Sequence, residues 1–351
     1  MEKFAPGAAR RINPFKSPNW DALVTSHPDF SFFHGTAWAR VLAETYGFVP
    51  HYFYSGSEGA SESLLPVMEV DSWVTGRRGI ALPFTDECPP LGTDQSVLMK
   101  LFQDAVDFGK SRGWKYIELR GGRNFFGVEV PASLSFYGHG LDLGMDEKGL
   151  FEKMEGSARQ AVRKAERDGV TVEISQSLEA IKTFHSLQCL TRKKHGLPPQ
   201  PWEFFVNVHR HILSENKGMI AVASRQGRKI AASVYFFLGG RAIYKFGASD
   251  AAYQHLRGNN LVMWEAMKWL ARKGMNQLHL GRTSLFNEGL RRFKLNLGAR
   301  EEKIEYVKFD LRQNRFVTEV DGVSGWHNTV FRLMPVFASR VAGRMLYKHW
   351  A

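Results

Sequence analysis

LFQDAVDFGKSRGWKYIELRGG occupies residues 101–122, and VMWEAMKWLARKGMNQLHLGRT occupies residues 262–283. The two align without a gap, 262 against 101, an offset of 161 residues. Each reads as an amphipathic helix that ends on basic residues and a glycine, Gly113 or Gly274. Each continues into a short alternating strand, over residues 114–119 or 275–280. The offset extends upstream, where ALPFTDECP from Ala81 and AIYKFGASD from Ala242 both read as a strand entering a turn. A strand–loop–helix–glycine–strand unit that occurs twice predicts a duplicated α/β domain, because a helix between neighbouring strands makes a crossover. The expected fold class is α/β (α+β), with two tandem domains of mixed sheet flanked by helices. The seam is expected near Gly144 to Gly149: a first domain over 1–145, a second over 146–319, and a helical tail over 320–351.

Bulk properties agree with two domains. A chain of 351 residues with 44% hydrophobic side chains is long for one core and rich enough for two. The two cysteines, Cys88 and Cys189, form no CxxC and no metal-ligand spacing, which argues against a disulfide framework or a zinc site and for a reducing, cytoplasmic setting. No secretory h-region opens the chain, and no run approaches 18 uninterrupted apolar residues. The net charge of +12 favours polyanions: nucleic acid, anionic lipid or phosphorylated substrates. GxSxG, HExxH, P-loop and Rossmann templates are absent, and HRH at 209–211 has the wrong spacing for helical metal ligands.

Residues 156–169, GSARQAVRKAERDG, raise an electrostatic question. Ser157 and Gln160 form a capping box, so a helix is expected from Ser157 to near Gly169, with Arg159 in its first turn. A cation is mildly unfavourable there. Arg159, Arg163 and Arg167 share one face, opposite Ala158, Ala161, Val162 and Ala165. That face is either solvated or an anion site, since free N–H groups with two arginine forks suit a phosphate.

The order SARQAVRKAERDGV, TRKKHGLPPQP, KIAASVYFF, YKFGASDAAYQHLRGNNLVMWEAM and LHLGRTSLFNEGLRRFKLNLGA resembles the Fem-like branch of the GNAT acyltransferase superfamily. The resemblance is closest over 150–300. It implies two GNAT-like domains, with the C-terminal segment returning to the first. It also implies transfer of an aminoacyl group, from aminoacyl-tRNA in the bridge enzymes of peptidoglycan, to an amine on a lipid- or nucleotide-linked envelope precursor. In such enzymes basic residues hold the diphosphate of that carrier, and Arg159 and Arg163 are the positions carried over.

Acyl transfer to an amine passes through a tetrahedral oxyanion that needs a positive or N–H donor and exclusion of water. Lys294 sits in the family's F-K-x-x-x-G pattern, where the resemblance assigns it charge stabilisation at the reacting carbonyl. Gly281 and Arg282 match the family's G-R at the acceptor cleft, Arg282 being either a carboxylate or phosphate ligand or a structural ion pair. His279 is a candidate general base, or a hydrogen-bonded core histidine. Tyr244, Lys245 and Tyr253 are cleft-lining candidates.

On the donor side, QHLRGNNLV stands where CoA-dependent relatives carry a Q/R-x-x-G-x-G/A turn. Gly258 remains, but Arg257 is bulky, and Asn259 and Asn260 replace small residues. No tightly bound cofactor is expected. Aminoacyl-tRNA and acyl-CoA both remain as co-substrates, and no RNA-binding module is recognisable. The tail, WHNTVFRLMPVFASRVAGRMLYKHWA over 326–351, has Arg332, Arg340, Arg344 and Lys348, no acidic residue, and apolar faces about Pro335. It reads as a helix docked on the first domain or as a peripheral contact with anionic membrane. The rivals to an aminoacyltransferase are an acyl-CoA-dependent enzyme of polysaccharide or amino-sugar modification and a non-catalytic RNA- or membrane-binding module.

Overall fold

Both quoted stretches fold as expected. The first lies in a helix, Gln95–Arg112, ended by Gly113 in the left-handed conformation (φ 71), then a strand, Tyr116–Arg120. The second lies in a helix, Gly258–Arg272, then Gly274 (φ 80) and a strand, Gln277–His279.

The structure is a computed structural model that describes residues 9–56, 62–127, 129–319 and 331–350. In chain order its elements are β1 (Arg10–Ile12), α1 (Trp20–Thr25), α2 (Thr36–Tyr46), β2 (Val49–Ser55), β3 (Ser63–Val70), β4 (Arg78–Ile80), α3 (Gln95–Arg112), β5 (Tyr116–Arg120) and β6 (Leu134–Asp142). There follow α4 (Glu147–Lys153), α5 (Gly156–Arg167), β7 (Thr171–Ser175), α6 (Leu178–Lys194), α7 (Trp202–Val208), β8 (Gly218–Arg225), β9 (Arg228–Leu238), β10 (Arg241–Ser249) and α8 (Gly258–Arg272). The last are β11 (Gln277–His279), β12 (Thr283–Ser284), α9 (Glu288–Asn296), β13 (Arg300–Asp310), β14 (Arg315–Val317) and α10 (Val336–Leu346).

Two compact units result. The first holds the described residues up to Phe136 with 303–319 and 348–350. Its strands run β1-β2-β3-β4-β5-β13, and only β4 and β5 are parallel, because α3 crosses between them. Its core includes Phe53, Leu65, Val67, Leu101, Phe102, Trp114, Ile117 and Leu119. The end of α3 is fastened by Glu69, which accepts from Arg112 Nη2 at 2.8 Å and Trp114 Nε1 at 2.6 Å.

The second unit holds 137–302 and 331–347 of the described residues. Its strands run β6-β11-β10-β9-β8-β7, and again the only parallel pair, β10 and β11, flanks a crossover helix, α8. Leu261, Val262, Trp264, Met267 and Leu270 of α8 join Tyr235, Leu278 and Leu280 in the core. A bulge between Tyr244 and Phe246 shifts the β10 register against β9.

The division differs from the sequence-based one in two places. The boundary precedes Tyr137, not residue 146. Strand β13, assigned by sequence to the second domain, pairs through Tyr306–Asp310 with β5 and so joins the first unit. The tail also differs. Residues 320–330 lie outside the described residues, and α10 groups with the second unit, packing on α6. Gly343 permits this approach, since a Cβ there would stand 2.1 Å from the Pro199 carbonyl oxygen. Residues 348–350 do belong to the first unit, where Arg78 Nη2 donates to the His349 carbonyl at 3.1 Å.

Candidate functional site: a cation-lined groove at the start of α8

Strand β10 ends at Ser249, and Asp250 turns the chain by accepting from the Ala252 N–H at 3.1 Å. Arg257 then adopts a left-handed conformation (φ 58, ψ 26), which costs a non-glycine residue about 1–2 kcal/mol. Helix α8 begins immediately after it, at Gly258. A Cβ at Gly258 would lie 3.1 Å from Ile230 Cδ1, so the lack of a side chain lets the helix start close against β9. No side chain caps this end. Its leading N–H groups and the partial positive charge of the helix terminus suit an anion.

Two cavities meet there. The smaller, about 220 Å³, is lined by Tyr253, Arg257, Gly258, Asn259 and Asn260 among others. The larger, about 640 Å³, lies between α5, α9 and the start of α8. Arg257, Asn260 and Phe293 line both. The larger groove has four cations in its wall, Lys164 and Arg167 from α5, Arg257, and Arg292 from α9, and no carboxylate. Lys164 is ion-paired with Asp168 at 2.6 Å, whereas Arg257 and Arg292 make no ion pair among the described residues. Unpaired guanidinium groups around an open groove are a phosphate-binding arrangement.

Of the arginines on the candidate anion face of α5, Arg159 and Arg163 do not line the groove and Arg167 does. Helix α5 starts two residues early, with Glu155 rather than Ser157 as N-cap. Ser157 instead accepts from Asn296 Nδ2 at 3.2 Å, across to α9. Arg159 donates to the Glu152 carbonyl at 3.1 Å, and Arg163 lies over the Phe151 ring at 5.4 Å. Both are held by α4, which folds beside α5, and neither lines the groove. Lys164 and Arg167, in the same quoted run, do. The readable signal was the wall formed by Ser157, Gln160, Ala161 and Lys164, whose spacing is that of one helix face.

Gly281, Arg282, His279 and Lys294 do come together. Lys294, 2% exposed, donates from Nζ to the carbonyls of Gly281 at 2.7 Å and Arg282 at 3.1 Å, so α9 holds the loop after β11. His279 accepts from the Gly281 N–H on Nδ1 at 3.1 Å, which places its proton on Nε2, 3.4 Å from Glu302. With that lone pair committed, the ring orients the loop and has no nitrogen left to act as a base. His139 is fully buried beside this cluster, and burial, then the neighbouring Lys294 charge, push its pKa down. Glu301, 3.2 Å from His139, is held below the usual carboxylate range chiefly by Arg291.

Of the aromatic candidates, Tyr253 lines the smaller cavity beneath the Arg228 guanidinium at 4.7 Å. Tyr244 flanks the β10 bulge against Tyr235, and burial pushes its hydroxyl up to about 12. Lys245 lies within the bulge, its Nζ 5.4 Å from the Phe246 ring. Neither lines the cavities. Sequence reading missed Lys164, Arg292 and Asn296, placed Arg167 on the arginine face without singling it out, and took Arg257 only as an obstacle.

The fold is shared with known proteins. Residues 152–296 match the model of the acetyltransferase (GNAT) domain. Among solved structures, FemX superposes with a TM-score of 0.66 at 14% identity, covering 85% of this chain and 96% of its own. A tandem GNAT protein from the clavulanic acid biosynthesis pathway gives 0.53 at 9% identity, covering 87% and 98%. The C-terminal domain of a putative lysylphosphatidylglycerol synthetase from Agrobacterium fabrum gives 0.51 at 17% identity, covering 77% and 86%. Among curated protein sequences nothing matches. The groove at the start of α8 thus lies in a GNAT acetyltransferase domain, residues 152–296, on a fold shared with FemX and the tandem GNAT protein, and the chain is an acyltransferase.

Proposed function

We propose that this chain is an N-acyltransferase of the Fem-like type, moving an aminoacyl or acyl group from a phosphate-bearing donor to an amine of a cell-envelope precursor. The observation that carries this reading is the groove with Lys164, Arg167, Arg257 and Arg292 and no carboxylate. A neutral amine attacks the donor carbonyl, giving a tetrahedral oxyanion. The C–O or C–S bond to the carrier then breaks, and the amine proton passes to the departing oxygen or sulfur. Lys294 and Arg282 supply positive charge near the developing oxyanion, and Phe293 keeps water from it. The similarity to a lysylphosphatidylglycerol synthetase domain supports an envelope acceptor, as does the similarity to FemX.

The smaller cavity favours a second reading, acyl-CoA as donor, because an uncapped helix start beside Gly258 fits a pyrophosphate. Titration calorimetry with acyl-CoA, aminoacyl-tRNA and nucleotide-linked muropeptide separates the two. Aminoacyl-tRNA is expected to bind best, and Arg257→Gln with Arg292→Gln is expected to weaken it more than about 100-fold, each lost charge-assisted contact contributing about 1.5–3 kcal/mol. Affinity unchanged by the double substitution removes the groove from the reading, and preference for acyl-CoA selects the second one.

A further inference from the structure

Helix α10 is inverted relative to an ordinary surface helix. Its inward face consists of Ser339, 1% exposed, and Gly343, with Tyr347 just beyond the helix end. Its large apolar residues point outward: Phe337 is 72% exposed, Val341 57% and Met345 67%. These stand at four-residue steps and so form one stripe, and Leu333, 80% exposed, precedes them ahead of Pro335. Leaving such side chains in water forgoes the favourable free energy of burying them. Contiguous exposed apolar surface of this kind marks an interaction site.

The charge around the stripe selects the partner. Residues 331–350 include Arg332, Arg340, Arg344 and Lys348 and no acidic residue. Helix α6, on which α10 packs, ends in Arg192, Lys193 and Lys194. Arg192, Lys194 and Arg332 all act on His195, whose pKa burial and these charges lower, so the two basic segments converge. Among the described residues the carboxylate ion-paired with α10 is Glu203, 3.3 Å from Arg344. Both partners are more than half exposed, so the pair contributes little. A second copy of the chain would bring two cationic faces together, whereas an anionic bilayer matches both the charge and the apolar stripe.

We propose that this face docks peripherally on anionic membrane. Phe337, Val341 and Met345 enter the boundary between headgroups and acyl chains, and Arg344 with the cations ending α6 meets the lipid phosphates. The inference is independent of which group the groove transfers, because its readout is binding.

Co-sedimentation with vesicles tests it, using phosphatidylcholine alone and phosphatidylcholine with about a third phosphatidylglycerol. The protein is expected to pellet with the anionic vesicles only, less so as salt shortens the screening length below about 8 Å. Phe337→Ser with Met345→Ser should lower the partition coefficient at least tenfold, and Arg344→Gln several-fold, with unchanged circular dichroism and melting. Absence of binding to anionic vesicles overturns the proposal, as does binding equal in wild type and the serine variant. A concentration-dependent dimer in light scattering that the serine substitutions dissolve also overturns it and assigns the face to a second copy.

Discussion

Helices α3 and α8 occupy the same place in two copies of one strand–helix–strand unit, yet their first turns are built in opposite ways. Asp94 caps α3, accepting from the N–H groups of Ser96 at 2.8 Å and Val97 at 3.3 Å. Hydrogen bonding, led by the Ser96 hydroxyl, keeps its carboxyl below the usual carboxylate range, so an anion stands permanently at that helix start. Helix α8 has no side-chain cap and begins after a left-handed arginine, with two cavities against its first turn. A helix start can meet its unpaired donors from within the chain or leave them to a ligand. The first unit does the former and the second leaves its donors open, so the proposed phosphate site falls in only one of two similar crossovers.

The largest effect that tests this contrast is expected at Lys294. Lys294→Met removes a buried positive charge from α9 and leaves the Gly281 and Arg282 carbonyls short of a donor. Turnover should fall by about 10²–10³, with donor affinity little changed, because the charge acts mainly in the transition state. Stability should fall as well, by about 2–4 kcal/mol, since buried carbonyls lose their partner. Single-turnover kinetics and denaturant unfolding measure the two separately. Wild-type turnover in the variant would transfer the oxyanion role to Arg282 or to backbone N–H groups.

A buried group of the first unit should behave differently, changing stability and leaving donor affinity alone. His34 is fully buried, its Nδ1 accepting from the Ser31 N–H at 3.0 Å and its Nε2 donating to the Pro89 carbonyl at 2.8 Å. Burial pushes its pKa from the ordinary 6.5 down to about 4. The folded value lies below the unfolded one, so the unfolded chain takes up its proton first as pH falls. The stabilisation is therefore complete above pH 6.5 and is lost between 6.5 and about 4, by at most about 3 kcal/mol. Unfolding by denaturant at pH 7 and pH 4.5 should show this drop, and His34→Asn should flatten it. An equal slope in the variant would assign the acid sensitivity to His51 or His185, which burial also lowers to about 4.

The duplicated crossover was legible in sequence because it is local: helix period, glycine stop and strand alternation each act within about twenty residues. The return of β13 to pair with β5 was not, because Tyr306–Asp310 and Tyr116–Arg120 are far apart in sequence and neither pattern names the other. The site divides the same way. Motif spacing picked out Gly258, which lines the smaller cavity, and Gly281 and Lys294, which a hydrogen bond joins. Which face of α5 meets the groove depends on α4 folding beside it and holding Arg159 and Arg163 through Glu152 and Phe151. Helical periodicity defines faces, but the partner of each face is a tertiary fact.

The smallest expected effect tests the contrast most directly, because it has opposite signs in two measurements. Arg257 carries a left-handed backbone (φ 58) at the cavity mouth, a strain of about 1–2 kcal/mol that glycine would not bear. Arg257→Gly also removes a groove cation. Folding stability should rise by about 1 kcal/mol, net of the extra chain entropy of glycine, while affinity for a phosphate-bearing donor should fall about tenfold. Denaturant unfolding and calorimetry read the two quantities on one preparation. Asp94→Gly in the matching turn of the first unit should lower stability and leave donor affinity unchanged, because its carboxylate serves only its own helix. If Arg257→Gly destabilises the chain and spares binding, the arginine is a structural cap like Asp94, and the difference between the two helix starts no longer locates the phosphate.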